Sequence, residues 1–336
     1  MAVHNGARFL RETVDSILGQ TLREFEFIIV DDASTDETPA ILSEYASADE
    51  RIHLLTNERN CRLPASLNRG LAQCRAALVA RADADDVHDR TRLQKQVAFM
   101  DRHPDIGVLS CQRRWMTEEG EIRGRTHAPL NDEDIRFQLL FENCILHPGV
   151  VFRKAIVDSA GGYDETKWTA QDYDLWARLL GKTRFAVLDE PLVCYRTHDA
   201  SIGSTRGETG DAISHSVSRR LLSDYMAREI SEDEHACLRK AFHGMGRIEV
   251  EHVASAREVI HEFVARVKTN ENPRRVHEIR GRFARNLLGQ SIGRLRENRR
   301  ASWYFYRDAL RLDPATVLTR RAIKQALRLA LPTTGK

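Results

Sequence analysis

Phe25-Glu-Phe-Ile-Ile-Val-Asp-Asp32 decides the fold. From Phe25 to Val30 the run is nearly continuous in apolar character, as a strand buried on both faces of a parallel sheet must be, and it ends on two carboxylates. Just after it, Ser34-Thr-Asp-Glu37 has capping-box spacing and predicts a helix opening there and running to about Ser47. Just before it, Leu10, Val14, Ile17 and Leu18 share one face and predict an amphipathic helix over residues 7–20. Downstream, Arg51–Leu55 reads as a strand, Pro64–Gln73 as a helix and Ala77–Arg81 as a strand. Such alternation predicts an α/β fold, a Rossmann-like, mostly parallel sheet with helices on both faces. Further strands are expected at 106–111, 150–153 and 185–188, and a helix from Asp172 to Leu180 with Leu175, Trp176 and Leu179 inward. Beyond about Asp211 the pattern is almost wholly helical, and Gly203, Gly207 and Gly210 mark the boundary. The expected division is therefore an α/β domain over 1–210 and a helical region over 211–336.

With 336 residues, 42% apolar and 30% charged, the chain has material for one large domain plus an appendage and a charged surface, figures that fit a globular enzyme and many other proteins. The net charge of +2 conceals an asymmetry. From Arg274 to Lys336 there are 16 Lys and Arg against 4 Asp and Glu, while residues 1–273 carry 35 against 45. A basic tail on an acidic body predicts an anionic surface as the tail's partner, a solvated Arg-rich helix being the plainer reading. The six cysteines form no C-x-x-C pair, which predicts a reduced, intracellular protein. Met1-Ala-Val-His-Asn leads straight into polar residues, so no secretory leader is expected, and no apolar run approaches the ~20 residues of a membrane span. The expected location is cytoplasmic, including the inner face of a membrane.

Ligands in open α/β sheets sit beyond the carboxyl ends of the strands. Two acidic clusters fall at such ends, Asp31-Asp32 and Asp83-Ala-Asp-Asp86. Crowded carboxylates raise one another's pKa, and a hard cation such as Mg2+ or Mn2+, which takes a few carboxylates plus phosphate oxygens, removes that cost. Plainer readings stay open on the residues alone. Asp83–Asp86 could be a solvated loop, Asp31-Asp32 a helix start, and Asp172 or Asp174 of Thr169-Ala-Gln-Asp-Tyr-Asp-Leu-Trp176 a helix cap.

Several motifs, in order over roughly residues 1–202, resemble the inverting family 2 glycosyltransferases of GT-A fold. They are Met1-Ala-Val-His-Asn-Gly6, similar to a nucleotide-binding turn, and Phe27-Ile-Ile-Val-Asp-Asp-Ala-Ser-Thr-Asp36, similar to a second strand and acidic turn. Asn68 with Ala72 follows, then Ala82-Asp-Ala-Asp-Asp86, which matches the D-x-D metal motif. Gly161-Gly-Tyr-Asp164 precedes Gln171-Asp-Tyr-Asp-Leu-Trp176, and Tyr195-Arg-Thr-His198 closes the series. His4 stands where the family often has Tyr, and Gln171 where it often has Glu.

The resemblance implies roles residue by residue. Ala2 and His4 would lie against the nucleotide base and Asp32 would accept a hydrogen bond from it. Asp83 would hold the ribose and the metal's water shell, and Asp85 would ligate Mn2+ or Mg2+. Asp172 would be the general base. His198 would approach the diphosphate or metal, a buried structural histidine being the other reading, and His147 is assigned to packing more than to the acceptor region. The implied activity is inverting transfer from a nucleotide sugar, UDP-linked first, to a hydroxyl of a glycan or lipid-linked glycan in polysaccharide biosynthesis, with no nucleic acid as partner. Two rivals are a sugar-nucleotide nucleotidyltransferase and a non-catalytic, degenerate transferase fold. The single glycine of His4-Asn-Gly-Ala-Arg8 disfavours the first and intact Asp83, Asp85 and Asp172 the second.

Within 281–314, Leu287-Leu-Gly289, Ala301, Tyr304-Phe305, Ala309-Leu310 and Pro314 resemble one tetratricopeptide-like helix pair. Val317–Leu331 sets Leu318, Ile323, Leu327 and Leu331 among Arg320, Arg321, Lys324 and Arg328, the pattern of an interfacial membrane helix or of plain packing. In the family the chain resembles, the turn at Gly6 follows a buried parallel strand, of which only the final residues precede it here. The resemblance implies a Val/Ile-rich segment upstream of Met1, another segment supplying that edge being the other reading.

Overall fold

The structure, a computed structural model, describes residues 1–199, 207–294 and 298–317. Its first sheet is wholly parallel, in the order β1 (Ala2–Val3), β2 (Phe27–Asp31), β3 (Ile52–Thr56), with Val3 opposite Asp31 and Asp31 opposite Thr56. All five residues of β2 are buried, as its apolar run requires. Helices α1 (Ala7–Leu18) and α2 (Thr38–Ala48) share one apolar cluster with it, in which Leu10, Val14, Ile41 and Leu42 meet Val3, Phe27 and Ile29. Each such side chain contributes roughly 1.5–3 kcal/mol by leaving water. α3 (Arg62–Gln73) buries Leu67 and Leu71.

The expected capping box at Ser34–Glu37 does not form. α2 starts after Glu37, which makes no side-chain cap. Ser34 Oγ instead accepts the Asn5 N–H at 2.9 Å, and Asp36 accepts the Ala7 N–H at 3.1 Å. Parallel pairing of β1 with β2 brings the turn after β1 against this segment, so that its amides take Ser34 Oγ and one Asp36 oxygen, while the other Asp36 oxygen accepts the Thr38 N–H at 2.9 Å.

The second sheet runs β4 (Leu78–Ala80), β8 (Val151–Arg153), β6 (Ile106–Met116), β9 (Arg184–Arg196), β5 (Val87–His88), with β7 (Ile122–Arg125) paired to β6. β6 and β9 are parallel, while the other ladders here are antiparallel. β9 extends well past the expected 185–188. Its ladder absorbs Pro191, which has no N–H to give, through register shifts at Cys111/Gln112 and Gln112/Arg113, and continues to Arg196. Around it lie α4 (Arg92–Arg102), α5 (Asp132–Leu139), α6 (Lys154–Asp158) and α7 (Gln171–Leu179), the last burying Leu175, Trp176 and Leu179. An apolar cavity of about 590 Å³ lies between β2 and β4, lined by Phe27, Ile28, Leu71 and Leu78, and none of the proposed site aspartates reaches it.

The contacts divide the chain into compact units Met1–Ser218 and Arg219–Lys336, and the expected boundary at residue 210 falls inside α8 (Gly207–Met226). Gly203 lies outside the described residues. In the second unit α9 (Glu232–His243) opens on a complete capping box, Ser231 with Glu234. α10 (Val253–Asn270) and α11 (Pro273–Arg294) stack Phe263 on Phe283 with ring centroids 5.6 Å apart. α12 (Arg299–Leu312) packs along α11 as a helix pair, and α13 (Pro314–Val317) follows. The expected membrane-facing helix after Val317 lies outside the described residues. Among the described residues no helix is long and apolar enough to cross a membrane.

Candidate active site

The acid turn follows β4. Asp85 Oδ2 meets His198 Nε2 at 2.9 Å, across 113 residues of sequence. Asp83 is paired with Arg81, which is itself buried. Asp86 is fully enclosed, with Oδ1 accepting the Arg196 N–H at 2.9 Å and Oδ2 lacking a hydrogen bond. Burial first, then the neighbouring Asp83 charge, raises the Asp85 carboxyl above its usual range despite His198. Burial, Asp85 and Asp83 together push Asp86 far higher. A turn so arranged suits a divalent cation, which would relieve the repulsion while Asp85 and His198 supply ligands. Among the described residues no three His, Cys, Asp or Glu groups converge on one point, so that cation would need phosphate oxygens from a substrate, the usual habit of Mg2+.

The ends of β1 and β2 form the neighbouring wall. Ala2 is buried in the ladder opposite Val30, and His4 is exposed just past it, Nδ1 lying 2.9 Å from the Asp32 carbonyl. Asp32 is 3% exposed and its Oδ1 accepts Asn57 Nδ2 at 2.6 Å and the Cys61 N–H at 2.8 Å. Ala82 and Ala84 pack on the cluster containing Val3, so the acid turn and the turn at His4–Gly6 are adjacent.

Asp172 sits in the first turn of α7, 8% exposed. Its Oδ1 accepts the Tyr173 N–H at 2.8 Å and its Oδ2 accepts Asn143 Nδ2 at 2.7 Å. Ala170, just ahead of the helix, is held at φ +52°, a left-handed conformation uncommon outside glycine. Asp174, the other cap candidate, is tied to Arg178 at 2.7 Å, and Arg178 donates on to the Ala160 and Gly162 carbonyls. The two sides of the site meet at Tyr163, whose hydroxyl burial drives upward while it feels Arg81, Asp172 and Asp83. Its OH lies 2.9 Å from His147 Nε2, and burial holds that imidazole neutral. Asn68 clamps the turn, exchanging hydrogen bonds with the Tyr163 backbone at 2.9 Å each way. A Cβ on Gly162 (φ +73°) would stand 2.7 Å from the Asn68 oxygen, so only glycine fits.

Three positioning groups escaped the sequence reading. Arg196 binds the Asp85 carbonyl at 2.9 Å, Glu118 O at 3.0 Å and Glu12 at 2.5 Å, and stacks on Phe9. Arg92, fully buried, joins His88, the Arg81 carbonyl and the Val150 carbonyl. Asn143 holds Asp172. Arg196 lay inside a motif already noticed, but Arg92 carried no signal beyond an arginine on the inward face of α4.

Strand order, acid turns and helix placement define the GT-A fold. Staphylococcus aureus TarS residues 1–349, crystallised with UDP-GlcNAc, superposes with a TM-score of 0.57 at 17% identity, covering 92% of this chain and 89% of that one. A mannosyltransferase from Pyrobaculum calidifontis with GDP-Man and Mn2+ gives 0.50 at 16% identity, covering 93% and 85%. The Escherichia coli O-antigen biosynthesis glycosyltransferase WbnJ is 34% identical over 205 residues, 60% of this chain and 79% of that protein. The model of glycosyl transferase family 2 matches residues 1–160. The chain belongs to glycosyl transferase family 2, and it is a glycosyltransferase.

Proposed function

We propose that the protein transfers a sugar from a UDP-sugar to a hydroxyl of a glycan or lipid-linked glycan, with inversion and with Mn2+ or Mg2+ bound. The observation that carries this reading is the pairing of a crowded acid turn, Asp83–Asp86 with His198, with a buried carboxylate at Asp172. Ala2, His4 and Asp32 hold the nucleotide base, Asp83 the ribose, and Asp85 with His198 the cation. When bound, the cation neutralises charge on the departing diphosphate. Asp172 accepts the proton of the attacking hydroxyl, a contribution of roughly 10²–10⁴-fold. One base and no dedicated nucleophile give a single displacement through an oxocarbenium-like transition state, hence inversion. UDP-GlcNAc bound to TarS supports a UDP donor, and relatives named for O-antigen and amylovoran biosynthesis support a polysaccharide product. In this reading residues 1–210 carry the reaction and the helical region 211–336 docks the enzyme to an anionic membrane or a partner.

The test is a panel of nucleotide sugars in thermal unfolding, with and without Mn2+. The donor should stabilise the protein by about 2.7 kcal/mol at a hundredfold excess over Kd. Stabilisation by GDP-mannose and not by any UDP-sugar would overturn the nucleotide choice.

A further inference from the structure

We propose that Asn143 is the positioning residue of the general base, holding the Asp172 carboxylate from the segment between α5 and the turn at His147. This rests on the reading of Asp172 as base. The Asn143 amide has a fixed orientation, because its oxygen accepts the Ile145 N–H at 3.1 Å, leaving Nδ2 to donate to Asp172 Oδ2 at 2.7 Å. The Tyr173 N–H holds Oδ1 at 2.8 Å. With a donor on each oxygen, the plane of a carboxylate only 8% exposed is set from two elements at once, its own helix and a segment 29 residues upstream. Two donors fix the orientation of the carboxylate, and a hydrogen bond donated to a carboxylate favours its ionised form.

Tyr163 is engaged with His147, Asp174 with Arg178, Asp83 with Arg81, and Glu142 with Gln138 at 2.5 Å. Asn143 links the loop Leu140–Leu146 to the base. A shift of that loop would move the carboxylate.

The experiment compares Asn143→Ala, the isosteric Asn143→Asp and Asp172→Asn. The readout is UDP release from the UDP-sugar giving the largest unfolding shift, with Mn2+, between about pH 5 and 9. Both Asn143 variants should lower kcat by about 10- to 100-fold while UDP affinity and its Mn2+ response hold. Loss of the donor raises the pKa of the base, so the acid limb of the profile should move to higher pH, further for Asn143→Asp, which adds repulsion. Folded variants with wild-type kcat and acid limb, beside an inactive Asp172→Asn, would overturn the tether alone. Loss of UDP binding in step with kcat would overturn it too, as the mark of a merely structural residue. Full turnover by Asp172→Asn would remove the base assignment and the tether with it.

Discussion

Each unit of the molecule encloses a carboxylate, and the two are treated oppositely. In the first unit Asp86 is 0% exposed, one oxygen lacks a hydrogen bond, and burial with Asp85 and Asp83 lifts its pKa well above the carboxylate range. In the second unit Asp308 is 1% exposed, and burial pulls the same way. There hydrogen bonds from His261 and Arg257 outweigh burial and hold the carboxyl below its usual value. Arg228 likewise closes on Glu234 and Glu262, and the capping box of α9 is complete. The enclosed carboxylate of the first unit is thus left uncompensated, while that of the second is compensated by its neighbours. Folds tolerate an uncompensated buried carboxylate more readily at a site than elsewhere, which supports the proposed placement of the reaction at the acid turn.

The sharpest attack on this contrast is at the acid turn. Asp85→Ala should abolish transfer and the gain in nucleotide binding from Mn2+. Wild-type activity should vanish in EDTA and return with Mn2+ or Mg2+, and full turnover in excess chelator would break the reading.

Asp172→Asn comes next, removing the proton acceptor while keeping its size. Turnover should fall at least ~10²-fold with UDP binding nearly intact. Parallel loss of binding and turnover would make Asp172 a helix cap.

The helical unit should behave in the reverse way. Asp308→Ala strands Arg257 and should cost about 2 kcal/mol of stability, modest because Arg257 keeps 22% of its side chain in water. The kcat should not change. A depressed folded-state pKa contributes stability above the ordinary carboxylate value of 3.8 and loses it as pH falls through the folded value. The gap between wild type and variant, followed by denaturant unfolding, should therefore close in acid. A kcat effect without a stability effect would erase the contrast between the units.

The smallest expected effect is at the far end. Replacing Arg320, Arg321, Lys324 and Arg328 by Gln should weaken sedimentation with anionic vesicles by a few kcal/mol at most, about 1 kcal/mol per charge near the surface. The wild-type interaction should fade with salt. Full-length protein that ignores such vesicles at low ionic strength would leave the tail to a protein partner.

Much of the first unit was legible because hydrophobic periodicity is local. The run Phe25–Val30, the face Leu10–Val14–Ile17 and the inward Leu175, Trp176 and Leu179 all report burial within one turn or one pleat. The acid clusters stood out because they fall where strands end. The capping-box spacing at Ser34–Glu37 misled, since it assumes that those oxygens have only their own helix to serve. The length of β9 was hidden because Asp189, Glu190 and Pro191 break the apolar pattern that its ladder crosses.

By itself the sequence determined the alternation of strands and helices, the D-x-D turn and the acid at the head of α7. Tertiary structure alone decided what those acids meet. His198 reaches Asp85 across 113 residues, Arg196 reaches its carbonyl across 111, and Asn143 finds Asp172 across 29. Periodicity fixes which face of an element is buried, and a residue's own neighbours in the chain carry that information. Partners across a sheet depend instead on register, bulges and the packing of loops over strand ends, which exist only once the whole unit has closed.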